Sequence, residues 1–184
     1  MRIFYSSSLS FLFCLLMACE SKNKEVAKSD IPFKNYRNDS LHFSIDIPET
    51  WDLRFNKKNK SSVGFFEPLS DSSDAFQENL VVWVEELPVG ISDSLYAKAA
   101  RAQIQLANPS LKVEHQGWYP SKSYRFDHFY FDFTNTDSST YQVDGYTLLF
   151  QKRGYNLSFA SEKKYAADHQ QIYKQLLESF KPLP

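Results

Sequence analysis

Phe43-Ser44-Ile45-Asp46-Ile47 puts an apolar side chain at every second position, the period of a strand with one buried face, and Pro48 stops it. Trp51-Asp52-Leu53-Arg54-Phe55 alternates again, Asn56 to Ser62 is polar, and Val63 to Phe66 returns to the apolar pattern. Leu80-Val81-Val82-Trp83-Val84 is uninterrupted, so it is expected to be a central strand covered on both faces. Ser92 then offers an N-cap to a helix whose apolar stripe is read as Leu95, Ala99, Ala102 and Leu106, ending at Asn108-Pro109. Four strands follow, at Lys112 to Tyr119, Ser123 to Phe133, Tyr141 to Gln151 and Tyr155 to Ser161, and their short connections imply a meander. A last helix from Lys163 to Phe180 aligns Tyr165, His169, Ile172, Tyr173, Leu176 and Phe180. Strands, helix, strands, helix with short connections predict an α+β fold: a predominantly antiparallel sheet of about six to eight strands sandwiched between helices, in one domain over residues 33–184.

The N-terminus does not fit this pattern. Arg2 precedes the apolar run Leu9 to Ala18, too short to span a bilayer, so residues 1–18 read as a secretion signal. The run ends Leu16-Met17-Ala18-Cys19, which resembles a bacterial lipobox; Ala18 fits the small residue before the cysteine and Met17 departs from the pattern. The resemblance implies lipidation of Cys19 and a membrane anchor, and polar residues 19–32 then read as a tether. Glu20 is not the aspartate that retains lipoproteins at the inner membrane of enteric bacteria, which favours the outer membrane. The domain is expected to face the periplasm or the cell surface.

Removing Arg2 with the signal leaves 20 of the chain's 21 basic residues against 22 acidic ones, a net charge of −2, which excludes a general nucleic-acid binder. Of the two cysteines, Cys14 is discarded and Cys19 is capped, so thiol catalysis and Cys-based zinc sites are excluded. The five glycines, Gly64, Gly90, Gly117, Gly145 and Gly154, write no P-loop, dinucleotide fingerprint or GxSxG elbow. His42, His115, His128 and His169 show no metal-ligand spacing, so neither a metal nor a cofactor is expected. A hairpin turning at Pro120-Ser121 pairs 115 with 126 and 113 with 128, which makes His115 and His128 diagonal neighbours on one face, read as half-buried strand histidines. Asp71, Asp74 and Glu78 lack the spacing and glycine of a calcium loop and read as a solvated turn; Arg54, Lys57, Lys58 and Lys60 read as an ordinary charged loop. Rings are abundant, with 16 Phe, 11 Tyr and 3 Trp, and the segment from Trp118 to Phe133 carries them on both faces. Trp118, Tyr119, Tyr124, Phe126 and Tyr130 are the expected partner-binding residues.

Phe43 to Trp51, Val63-Gly64-Phe65-Phe66 and Asp74-Ala75-Phe76-Gln77-Glu78-Asn79 before the apolar strand resemble the PsbP-like family. The closing strand Gly154-Tyr155-Asn156-Leu157-Ser158-Phe159 and the helix end Glu178-Ser179-Phe180-Lys181 are similar too, so the resemblance runs from Phe33 to Leu183. It implies an α/β/α sandwich and a non-enzymatic binding role, as in photosystem extrinsic subunits, nuclear-transport adaptors and bacterial lipoproteins, with no transferable site residue. The expected function is a membrane-tethered envelope lipoprotein that docks a protein partner. A carrier of a hydrophobic small molecule or peptide ranks second, and a periplasmic hydrolase third.

Overall fold

The alternating segments pair into two sheets in the computed structural model, which describes residues 31–55, 60–69, 76–135 and 138–184. Cys19, the signal and nearly all of the tether lie outside the described residues, as do Lys57, Lys58, Asp71 and Asp74. The strands are β1 (Phe33–Asn38), β2 (Phe43–Pro48), β3 (Asp52–Phe55), β4 (Ser62–Phe66) and β5 (Asn79–Glu86), then α1 (Asp93–Ala107). Strands β6 (Glu114–Pro120), β7 (Arg125–Thr134), β8 (Thr140–Phe150) and β9 (Arg153–Glu162) precede a single 3-10 turn, α2 (Ala166–Ser179) and β10 (Lys181–Pro182). The seven-stranded sheet runs β3-β4-β5-β9-β8-β7-β6 and the three-stranded one β1-β2-β10, with every pairing antiparallel. The fold is thus α+β with a broad antiparallel sheet, as the pattern predicts. No helix of the described residues is long and apolar enough to cross a membrane.

Residue parity separates the two faces of the large sheet. On one face Leu80, Val82, Tyr155, Leu157, Phe159 and Phe126 are buried beneath α2 and the small sheet. Phe180, just past α2, stacks on Phe43 of β2 at 5.5 Å and meets Tyr155 and Phe126 edge-on at 5.4 and 6.2 Å, so this core is largely aromatic. On the other face α1 covers part of β7, β8 and β9. Its Tyr96 ring sits where a Cβ on Gly154 would stand, 2.3 Å from Tyr96 Cζ, so only glycine lets the helix approach this closely. Ser92 caps α1 by accepting the amide of Leu95, as expected.

Several expectations need correction. The buried stripe of α1 is Tyr96, Ala97 and Ala100, while Leu95, Ala99, Ala102 and Leu106 are exposed, because the notch at Gly154 selects the face that carries the tyrosine. Strand β5 is interior to the sheet, but Trp83 is 39% exposed. α1 reaches β5 but does not close over it: a pocket of about 330 Å³ lies between Val81, Trp83 and Glu85 and the helix residues Ala100, Gln103 and Ile104. Tyr165, expected on the buried face of the last helix, is exposed in the 3-10 turn.

Burial raises the phenol pKa values of Tyr96, Tyr146 and Tyr173 far above the ordinary tyrosine range. A folded pKa above the unfolded one means the stabilisation is complete below about pH 10 and is lost as pH rises towards the folded value. Each phenol then removes about 1.4 kcal/mol per pH unit, so the three together give a loss of about 4 kcal/mol per unit. Urea unfolding at pH 9 and pH 11 should show this drop; equal midpoints would count against burial of these rings.

Candidate functional site

The hairpin of β6 and β7 does not turn as expected. A hydrogen bond from Ser121 N to Tyr124 O, 2.8 Å, closes a longer turn, and Tyr119 pairs with Phe126 rather than with residue 122. A bulge between His115 and Gly117 then moves His115 opposite Phe129, with Gly117 at φ +96°, a conformation suited to glycine. Because a one-residue slip flips a strand's faces, His115 and His128 point to opposite sides of the sheet. Each finds its own carboxylate, where the sequence showed none committed to its face. His115 Nε2 donates to Asp127 Oδ1 at 2.7 Å on the α1 side, and His128 Nε2 donates to Asp144 Oδ1 at 2.9 Å on the α2 side.

The proposed partner-binding residues divide the same way. Trp118 is 37% exposed on the α1 side, with the Arg125 guanidinium 4.4 Å from its ring centre. Tyr119, Tyr124 and Tyr130 share the α2 side with Phe126, but Phe126 is fully buried and belongs to the core. Its neighbours Tyr146 and Phe180 close over it from cross-strand and helical positions, so it is not available to a partner. Tyr124 lies edge-on to Phe150 at 6.0 Å, and Tyr130 donates to Glu114 Oε2 at 2.8 Å.

A cleft of about 570 Å³ runs between α2 and strands β6 to β8. Tyr119, His128, Asp144 and Tyr146 form its strand wall; Gln170, Gln171 and Lys174 of α2 form the other. His128 stacks on Tyr146 with ring centres 4.4 Å apart and planes within 2°, and Tyr119 meets Tyr146 edge-on at 5.4 Å. Gln142 Nε2 donates to Asp144 Oδ2 at 2.8 Å, so both oxygens of this carboxylate are held and the imidazole is fixed in turn. Burial first, and then the charge of Asp144, raises the Tyr146 pKa, so the phenol stays neutral and can donate. The wall therefore offers ring faces between fixed donors and acceptors. No described lining residue is a Ser, Thr or Cys, so His128 and Asp144 have no partner for a hydrolytic triad there.

Elsewhere, Glu67, Glu78 and His169 bring three ligand-type atoms within 4.8 Å of one another. Sequence reading missed this group because its members stand 102 residues apart at the extremes and no local spacing joins them. Asp127, which gathers His115 and Arg101, was missed for the same reason.

No family model and no curated protein matches the chain. Solved structures do. LpqN of Mycobacterium tuberculosis, involved in cell envelope biogenesis, superposes with a TM-score of 0.60 at 12% identity, covering 83% of this chain and 91% of that one. CyanoP, the cyanobacterial PsbP of Synechocystis sp. PCC 6803, gives 0.58 at 9% identity over 85% of this chain and 95% of its own. The Saccharomyces cerevisiae Ran-binding protein Mog1p gives 0.55 at 10% identity over 83% and 96%. The chain spans about half, 48%, of a Bacteroides thetaiotaomicron protein that it matches at 14% identity with a TM-score of 0.56. With its broad antiparallel sheet held between α1 on one face and α2 on the other, the chain has the PsbP/Mog1-type fold.

Proposed function

We propose that this is an envelope lipoprotein, anchored through Cys19, whose domain docks an extended segment of a protein partner in the α2 cleft without performing chemistry. The cleft carries the reading. Tyr119 and Tyr146 supply ring surface, Gln170 and Gln171 supply amides that match a peptide backbone, and Asp144 and Lys174 supply charges of both signs. Such mixed, solvent-facing polarity suits a polypeptide better than an acyl chain. Proteins with the same fold add support: one takes part in envelope biogenesis and another binds Ran. The lipobox-like Leu16 to Cys19 supports an envelope address, with the outer membrane as the proposed location.

One fractionation experiment tests both halves. The full chain is expressed with its signal, cross-linked in cells and purified from detergent-solubilised envelopes. Cys19→Ala is expected to move the protein out of the membrane fraction or leave an uncleaved precursor, because the attachment atom is gone. Fatty-acid label persisting on that variant would end the anchor assignment. Tyr119→Ala combined with Lys174→Glu, checked first for an unchanged melting temperature, is expected to weaken capture of the cross-linked protein by about 1–4 kcal/mol. Undiminished capture would remove the cleft from the binding surface. Recovery of a bound lipid in place of a protein would favour the carrier.

A further inference from the structure

We propose that Glu67, Glu78 and His169 form a binding site for one divalent cation of the zinc type, which pins the start of α2 to the ends of β4 and β5. The site takes no ligand from the lining of the docking cleft.

The three residues come from three elements that the fold locks together. Glu67 follows β4, Glu78 precedes β5 and His169 lies in the first turns of α2. Glu67 N donates to Glu78 O at 2.8 Å, and Gln77 Nε2 donates to Glu67 O at 2.9 Å, which fixes both glutamate backbones side by side. The ring of His169 is braced against Tyr173, with centres 5.9 Å apart. All three ligands lie among the described residues.

The chemistry of each donor points the same way. Glu78 is only 7% exposed, yet no Lys or Arg among the described residues pairs with it; its carboxylate faces backbone amides, that of Glu162 at 3.3 Å from Oε1 and its own. A positive charge beside it would stabilise a carboxylate this deep in its ionised form. His169 Nδ1 meets the Tyr165 carbonyl at 3.1 Å and Nε2 meets Glu67 Oε2 at 2.9 Å, so both nitrogens face oxygen acceptors. When a cation replaces the proton on Nε2, the Nδ1 proton still binds the Tyr165 carbonyl. That is the outer hydrogen bond which fixes the tautomer of metal-bound histidines.

Geometry and charge select the ion. Bonds of about 2.0–2.1 Å place neighbouring ligands about 3.0–3.4 Å apart, and the Nε2 to Oε2 edge is already 2.9 Å. The remaining edges, all within 4.8 Å, close to that range by small side-chain rotations, for which Glu67 has room because its side chain is partly exposed. Two carboxylates and a neutral imidazole match a dication in charge. One nitrogen and two oxygens suit Zn²⁺, whereas Ca²⁺ takes six to eight oxygens and Mg²⁺ is rarely held by imidazole. Three protein ligands leave a further position for water.

The test titrates Zn²⁺ into the full chain after chelator treatment, by calorimetry, with the melting temperature read in parallel. One equivalent should bind and raise the melting temperature. Glu67→Gln and His169→Gln should each weaken binding at least about tenfold, while His115→Gln changes nothing. Equal Zn²⁺ affinity in both ligand variants would overturn the site, as would Ca²⁺ or Mg²⁺ binding as tightly as Zn²⁺. Should a variant fail to fold, the unaltered chain decides the matter: one Co²⁺ should give visible ligand-field bands that one equivalent of Zn²⁺ abolishes, and a featureless spectrum overturns the proposal.

Discussion

Phe126→Ala is expected to lower the unfolding free energy by about 3–5 kcal/mol, a large share of the roughly 5–15 kcal/mol that holds a domain together. The ring is fully buried at the point where three layers meet. Tyr146 from β8 stands perpendicular to it with centres 6.5 Å apart, and Phe180, at the junction of α2 and β10, approaches at 6.2 Å. Those neighbours are anchored themselves: Phe180 by Phe43 and Tyr155, Tyr146 by Phe159 and His128. They cannot collapse into the space the ring leaves, so the cavity cost adds to the lost transfer energy. Urea midpoints of variant and parent measure the effect, and a loss below about 1 kcal/mol would show that the sheet and α2 do not close over this ring. Any failure of Phe126→Ala to capture a partner would therefore reflect unfolding, unlike the same failure in Tyr119→Ala.

Local periodicity was enough for the elements but not for the surfaces they present. Alternation in Phe43 to Ile47 and the four ring-rich segments after Lys112 correspond to β2 and β6 to β9, since a strand's period of two is written within a few residues. Strand β1 escaped notice because Phe33-Lys34-Asn35-Tyr36-Arg37-Asn38 carries only two apolar residues, enough for the edge of a small sheet. The face of α1 was ambiguous in principle: Leu95, Ala99, Ala102 and Leu106 make as regular a stripe as Tyr96, Ala97, Ala100 and Ile104. The notch at Gly154, more than fifty residues later in the sequence, decides between them.

The candidate sites were less legible still. Which face a histidine occupies on β6 depends on a bulge and on a turn closed by Ser121, and both alter register without altering composition. His128 with Asp144, His115 with Asp127, and Glu67 with His169 lie 16, 12 and 102 residues apart. Strand pairing joins the first two pairs and helix packing the third. Tyr119 was legible as an aromatic of interest, but α2 supplies the opposite wall of its cleft, and Gln170, Gln171 and Lys174 read in sequence only as the polar side of a helix.

Asp127→Ala should be as damaging as the loss of a core ring, at about 3–5 kcal/mol, for an electrostatic reason. Asp127 is 2% exposed beneath α1, where Oδ2 accepts from Arg101 of the helix and Oδ1 accepts from His115 of β6. The carboxylate thus ties α1 to β7 and β6 at once. Removing it leaves the guanidinium of Arg101, itself mostly covered, without a counter-charge or acceptor in a low-dielectric crevice, and that desolvation cost exceeds the value of the intact pair. The double variant Asp127→Ala with Arg101→Met should therefore be more stable than Asp127→Ala alone, because it removes the stranded charge and keeps the apolar stem against the sheet. Urea unfolding of the parent, both single variants and the double variant closes the cycle. Additive losses, with no recovery in the double variant, would show that Arg101 and Asp127 are solvated separately and that α1 is held by Tyr96, Ala97 and Ala100 alone. Recovery would locate the attachment of α1 in one buried ion pair as well as in its small apolar face. Moderate salt should leave the coupling largely unchanged, since a pair covered by a helix is screened far less than one on the surface.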